Sequence, residues 1–286
     1  MLKQRIITAV VLLAVFFVTL LTPRPEYFGV LAILFVALAA WEWSRLNGEN
    51  GLPAYLLGGI VAFLCTGSMI FDCVNKLPAI VWYLFASCWV AFSIVILKKG
   101  NALWLSIPQK VRWVMGAIIL YMAWAALWKA KLAGNNYLLS ILTLVWVADS
   151  GAYFGGKKFG KHKLAPSISP GKSKEGAVSG LIAVFILALL WVLFDRWFFS
   201  KYPLSMAGAS IYSILLSAYS WIGLIVSVIF LTTMSVVGDL FESLIKRSIG
   251  IKDSSQILPG HGGVLDRIDA LLPVLPLATA LTLLAL

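Results

Sequence analysis

The chain has 286 residues, 61% of them hydrophobic and only 12% charged, with a mean hydropathy of +0.93. That composition excludes a soluble globular domain and marks an integral membrane protein. The formal net charge of +11 would suit a nucleic-acid binder, but the chain has no soluble domain to present a basic helix with interleaved aromatics. The charge is read instead as orientation in the bilayer and attraction to anionic headgroups, with no nucleic-acid partner.

A bilayer core of about 30 Å asks for roughly 20 apolar residues per helix. Nine stretches meet that demand, at 6–22, 28–43, 54–71, 78–97, 113–131, 137–155, 177–197, 208–233 and 265–284. Lys3 and Arg5 ahead of the first run resemble a signal-peptide start, yet no small-residue cleavage site follows, so the run is kept as a membrane helix. "TPRPEY" separates the first two runs, and its prolines and charges predict two crossings joined by a tight turn. Cys65, Cys73 and Cys88 lie in or beside spans without CxxC spacing or a nearby histidine, and read as filler rather than a metal or disulfide framework. The twelve tryptophans and nine tyrosines read as interfacial or core residues.

The chain divides into N-terminal spans, 1–135, and a C-terminal region, 136–286, that holds the two longest polar stretches, 156–176 and 238–264. With the N-terminus inside, 17 of the 23 lysines and arginines fall on the cytoplasmic side, both polar stretches included, and 6 on the other. The expectation is an all-α polytopic membrane protein of about nine transmembrane helices with a polar active site facing the cytoplasm. No internal repeat is evident, which weighs against transporter folds built from repeated halves.

In "VWVADSGAYFGGKKFGKHKLAPSISPGKSKEG", 145–176, Asp149 sits within an apolar run. It is expected to face the bundle interior, in an interhelical ion pair or at a substrate or cation site. Lys157, Lys158, Lys161 and Lys163 read as a solvated cluster attracted to headgroups, and His162 as an exposed loop residue. Lys172 and Lys174 differ, because Pro170 and Gly176 bracket them just before a helix, where backbone N–H groups also welcome anions. Ser169 and Ser173 stand beside them. The spacing falls short of a P-loop.

In "SVVGDLFESLIKRSIG", 235–250, a helix would place Asp239, Glu242 and Lys246 on one face, with Arg247 near its edge. Asp239 reads as a cation ligand; Glu242 and Lys246 are open to being a plain i,i+4 pair. Further on, Gly260, Gly262 and Gly263 surround His261 ahead of a helix, so a turn there can bring backbone amides and an imidazole against an anion. Asp266 and Asp269 share the face of that helix, with Arg267 beside them: a cation site next to a phosphate site.

"SLIKRSIGIKDSSQILPGHGGVLDRID", 243–269, resembles the signature of the bacterial CDP-diacylglycerol synthases, the phosphatidate cytidylyltransferases, and the blocks "ADSGAYFGGKKFGKHKLAPSISPGKSKEG" and "GDLFES" are similar to that family's. Ser173 stands where the family has threonine, so the hydroxyl is kept. The likeness covers most of the chain from about residue 140 onward. It implies transfer of CMP from CTP to phosphatidate, releasing pyrophosphate, with Mg²⁺ and a second cation such as K⁺, a homodimer among membrane lipids, and a place in the bacterial inner membrane. Within that reaction Asp239 and Asp266 are the expected metal ligands, with Asp269 and Asp149 as supporting ligands or orienters. Lys172, Lys174, Lys246, Arg247 and Lys252 hold phosphates, with Ser169, Ser173, Asp253, Gly262 and Gly263 at the substrates. Arg267 bridges Asp239 or a phosphate, and His261 faces the leaving pyrophosphate or orients an aspartate. Two alternatives stand beside this reading: a transporter of an anionic or phosphorylated solute, and a CTP-dependent lipid-alcohol kinase. The transporter would need charges at mid-membrane depth, which are few.

Overall fold

The computed structural model describes residues 2–202 and 208–285. In chain order the elements are α1 (Leu2–Leu21), α2 (Pro25–Leu46), α3 (Leu52–Ile70), α4 (Cys73–Lys76), α5 (Ala79–Lys99), α6 (Asn101–Ser106), α7 (Gln109–Ala133), α8 (Asn135–Phe159), β1 (Lys163–Ala165), β2 (Ser169–Ser173), α9 (Lys174–Lys201), α10 (Ile211–Ser248), α11 (Leu265–Ile268) and α12 (Leu271–Ala285). Among the described residues nine helices are long and apolar enough to cross a bilayer, the last being α11 and α12 together. The nine expected spans are therefore present. Pro25 opens α2 after a short turn, where its missing N–H is one that a first helical turn leaves unpaired anyway.

Both long polar stretches carry more regular structure than their composition announced. Residues 163–173, inside the stretch expected as a glycine- and lysine-rich loop, form an antiparallel hairpin with Lys163 opposite Ser173 and Ala165 opposite Ser169. A lone two-stranded hairpin is marginal in water, and this one is tied at both ends. Glu175 accepts hydrogen bonds from the backbone N–H groups of Lys161 and His162, at 3.0 and 3.1 Å, and pairs with the His162 ring at 2.6 Å. His162 is exposed, as expected, but partnered. The Ser173 hydroxyl accepts from the Gly176 N–H and caps α9.

The second correction concerns 238–248. This part of the expected loop is the continuation of α10, which runs on as helix to Ser248. Its acids and bases do not end the helix, because they are paired with one another and with the residues that follow, and because Phe241 anchors it. The Phe241 ring is 1% exposed and lies 5.5–6.1 Å from the rings of Trp43, Trp89, Phe92 and Trp104. Burying such a side chain stabilises by about 1.5–3 kcal/mol relative to exposing it.

Close backbone approaches place the polar residues. A Cβ on Gly180 would meet the Ala148 carbonyl at 2.6 Å, and one on Gly176 the Ala152 carbonyl at 2.7 Å, so only glycine lets α8 and α9 cross this tightly. At Gly238 a Cβ would lie 2.6 Å from the Asp269 carbonyl and 2.8 Å from Pro273. That contact brings α10 against the start of the last span and sets Asp239 near Asp269. On the opposite side of the molecule, Asp195 (3% exposed) accepts from the Asn136 amide, the Ser210 N–H and hydroxyl, and the Ser213 hydroxyl at 2.6–3.0 Å, fixing the start of α10.

Candidate active site

The end of α8, the hairpin, the extended part of α10 and the beginning of the last span enclose a cavity of about 570 Å³. Asp149, Asp239, Asp266 and Asp269 line it, together with Lys172, Arg267, Ser169 and Ser173. These eight residues come from segments up to 120 positions apart in the chain, and the crossings at Gly180 and Gly238 bring them together.

The four carboxylates are held differently. Asp266 is saturated: Oδ1 accepts from Lys246 Nζ at 2.6 Å, while Oδ2 accepts from the Ser254 N–H at 3.0 Å and the Gly263 N–H at 2.8 Å. Asp239 pairs with Lys172 at 2.5 Å and accepts a long bond from the Ser243 hydroxyl at 3.3 Å. Asp269 accepts from the N–H of its neighbour Ala270 at 2.7 Å. Asp149 is exposed to the cavity and lies within electrostatic reach of Asp239 and Lys172. Asp149, Asp239 and Asp269 therefore keep lone pairs open to the cavity, whose wall also carries two lysines: Lys172, paired with Asp239, and Lys157, which the sequence had suggested was only part of a solvated cluster.

Lys246 lies between two acids. It pairs with Glu242 one turn away, the i,i+4 arrangement left open by the sequence, and with Asp266 from the last span. Glu242 is 1% exposed, so this is a buried ion cluster that locks α10 to the signature segment, and Lys246 does not line the cavity. Arg247 is likewise turned away, donating to the carbonyls of Ile251 at 3.1 Å and Ile168 at 3.5 Å, and so joins α10 to the hairpin. Lys174, Lys252 and Asp253 are exposed and outside the cavity lining.

His261 also stands outside that lining; its backbone carbonyl accepts from Arg267 Nε at 3.0 Å. Arg267 thus bonds the signature turn and does not bridge Asp239, whose cationic partner is Lys172. Gly262, at φ +83, takes a left-handed turn that glycine adopts without strain, and a Cβ there would strike Asp266 Oδ2 at 2.9 Å. At Gly263 a Cβ would fall 2.5 Å from Glu42 Oε1. Both glycines shape the turn around carboxylates.

Glu42 is the residue that sequence reasoning passed over. It is fully buried on α2 and accepts from the hydroxyls of Ser254 and Ser255 at 3.2 and 2.5 Å and from the N–H groups of Val264 and Leu265 at 2.9 and 2.6 Å. One carboxylate thereby caps the last span and pins the signature segment to the N-terminal helices. The signal was available: a lone acid inside the apolar run "AAWEWSRL".

As they stand, no three acidic, histidine or cysteine side chains among the described residues converge on a metal position. Mg²⁺ does not need such a cage. It keeps several waters and is typically bound through one or two carboxylates plus substrate phosphates, and the open oxygens of Asp149, Asp239 and Asp269 fit that donor chemistry.

The fold and site define a multi-pass membrane protein with an acidic, lysine-tuned cavity at one end of its bundle. A family model described as the cytidylyltransferase family matches residues 3–285. The chain is 39% identical to the phosphatidate cytidylyltransferase of Pseudomonas aeruginosa, covering 98% of this chain and 97% of that one. It is 33% identical to the Haemophilus influenzae protein of the same name, covering 96% of each, and 32% identical to that of Staphylococcus saprophyticus, covering 98% of each. The chain belongs to the cytidylyltransferase family.

Proposed function

We propose that the protein transfers CMP from CTP to phosphatidate, giving CDP-diacylglycerol and pyrophosphate. The observation that carries this reading is the single cavity where three open carboxylates meet Lys172 and Arg267. A non-bridging oxygen of the phosphatidate phosphate forms the new bond to the α-phosphorus of CTP. The bond from that phosphorus to the α,β-bridging oxygen breaks, and pyrophosphate departs with it. The phosphatidate phosphate is already ionised at neutral pH, so no strong general base is needed, and the lack of a histidine on the cavity wall is no obstacle. Catalysis of this kind is mostly positioning and charge neutralisation.

Lys172 pairs with Asp239 and lines the cavity, so the same ammonium can serve a phosphate oxygen of CTP. Arg267, tethered through the His261 carbonyl, offers its guanidinium to a second phosphate. Asp149, Asp239 and Asp269 would hold Mg²⁺, which screens the repulsion between the two anionic substrates. Asp266, Lys246 and Glu42 keep these groups in place. The reading also includes a second cation such as K⁺, a homodimer, and an inner-membrane location with the cavity on the cytoplasmic side, the last supported by the bias of basic residues toward that side.

Detergent-purified protein given CTP, Mg²⁺ and phosphatidate is expected to release pyrophosphate and to stop when EDTA is added. Release of CDP with a lipid alcohol, and none of pyrophosphate with phosphatidate, would identify a lipid kinase instead. Product with neither acceptor would leave the transporter reading.

A further inference from the structure

Lys157 lines the acidic cavity from the last turn of α8, together with Asp149, Tyr153 and Gly156 of the same helix. Spacings of four, seven and eight residues from Asp149 keep these positions on one stripe. Lys158 is directed elsewhere: its ammonium lies 5.3 Å from the centre of the Phe159 ring, and it is not part of the lining. Both lysines belong to the last turn of α8, where either complements the helix dipole. Only the direction of the side chain separates them.

Lys157 is also uncommitted. Lys172 pairs with Asp239, and Lys246 with Glu242 and Asp266, whereas no carboxylate among the described residues forms an ion pair with Lys157. The fold sets it beside the hairpin lysine. A Cβ on Gly156 would meet Ser173 Oγ at 3.1 Å, and one on Gly160 would meet the same oxygen at 2.9 Å. The chain neighbours of the Gly156–Ser173 contact are Lys157 on one side and Lys172 on the other, and both line the cavity. Asp239 offsets the second charge and nothing offsets the first, so this part of the wall favours an anion that carries more than one charge.

We propose that Lys157 binds the β- and γ-phosphates of CTP, the part that leaves as pyrophosphate, while Lys172 serves the same polyphosphate nearer the reacting phosphorus. This rests on the function proposed above and deepens it, by giving the leaving group its own residue. Position along α8 selects that end of the substrate. Lys157 lies eight residues beyond Asp149, about 12 Å along the axis at 1.5 Å per residue. Helical side chains lean back toward the N-terminus of their helix, so the ammonium recovers part of that distance and stops short of the open acids. A triphosphate with its α-phosphorus beside the acids extends its far phosphates into that interval. Negative charge develops there as the α,β-bridging bond breaks, so a fixed ammonium lowers the barrier as well as holding the nucleotide.

The test compares Lys157→Gln, Lys157→Arg and Lys158→Gln in the full chain, in detergent with Mg²⁺ and saturating phosphatidate. In Lys157→Gln the KM for CTP and the inhibition constant of pyrophosphate are expected to rise by about 10- to 100-fold, the scale of one hydrogen bond between charged groups. Inhibition by CMP, which lacks those phosphates, should stay at the wild-type value. Lys157→Arg keeps the charge and should recover most of the loss, and Lys158→Gln should behave as wild type. Lys157 is exposed, so the Gln variant is expected to fold, with its unfolding temperature as the check; Lys157→Met carries the same comparison if it does not. Unchanged constants for CTP and pyrophosphate, an equal weakening of CMP, or an equal loss in Lys158→Gln would overturn the inference. So would a rise confined to the KM for phosphatidate, which would put Lys157 on the lipid phosphate. Each of these outcomes leaves the proposed function standing, whereas a wild-type protein that makes no CDP-diacylglycerol would overturn both.

Discussion

Two groups of acids inside this membrane protein look alike by composition and differ in what surrounds them. Asp195 and Glu42 are 3% and 0% exposed, and each accepts four short hydrogen bonds from serine hydroxyls, an amide or backbone N–H groups at helix starts. Asp149, Asp239 and Asp269 open on a common cavity, where the one ion pair among them is that of Asp239 with Lys172. A carboxylate in an apolar bundle must be compensated. Compensation by fixed neutral donors uses up its lone pairs and makes it a clamp, whereas compensation by an ion pair at a cavity wall leaves oxygens for a cation or a substrate. Saturation, not burial, separates the two roles. Asp266 lies between them, facing the cavity but saturated by Lys246, Ser254 and Gly263.

That contrast can be broken by substitution. The largest effect is expected for Asp239→Asn, which keeps the shape and removes the charge facing Lys172: pyrophosphate release should fall by about 10³-fold, the upper scale for a lost electrostatic contact at a reacting centre, with thermal unfolding in detergent little changed. Near-wild-type turnover in this variant would remove Asp239 from the site. Asp266→Asn should show both losses at once, turnover down by about 10²-fold and stability down by about 1–3 kcal/mol as the buried Lys246 loses a partner. If only turnover falls, Asp266 belongs with the open acids and the saturation argument fails for it.

Smaller and purely structural effects are expected on the other side of the comparison. Glu42→Gln places an amide NH₂ against two of the four donors and should cost about 2–3 kcal/mol. Its signature is a lowered unfolding temperature and protease cleavage within 249–264, read by mass spectrometry. Asp195→Asn should cost about 1–2 kcal/mol and leave the turnover per folded molecule at the wild-type value, since Asp195 is remote from the cavity lining. A selective loss of turnover in Asp195→Asn would mean that the two ends of the bundle are coupled.

Much of the site was legible in sequence because charge is expensive in a bilayer. Asp149, Asp239, Asp266 and Asp269 stood out in an apolar chain, and all four line one cavity with Lys172. The lysines were harder to sort. Lys172, Lys174, Lys246 and Lys252 look equivalent in one dimension, yet one faces the cavity, one is locked between Glu242 and Asp266, and two are exposed. Side-chain direction depends on which turn of which element carries the residue, and the hairpin that aims Lys172 inward was not visible in "SISPGKSKEG". Glu42 escaped for a related reason: its partners lie more than 200 positions away, and nothing local marks a capping acid whose helix comes from the far end of the chain.

Length and hydropathy by themselves determined that nine helices among the described residues are long and apolar enough to cross a membrane, and the bias of basic residues supplied the expectation of which end faces inward. These are properties of the chain's partition between water and hydrocarbon, summed over residues that need not know their neighbours. Only the tertiary structure decided which acids are clamps and which remain open, and that α10 continues as helix through the polar segment. Those outcomes rest on close approaches at Gly180, Gly238 and Gly262, and a contact between distant segments leaves no periodic trace in the sequence that makes it.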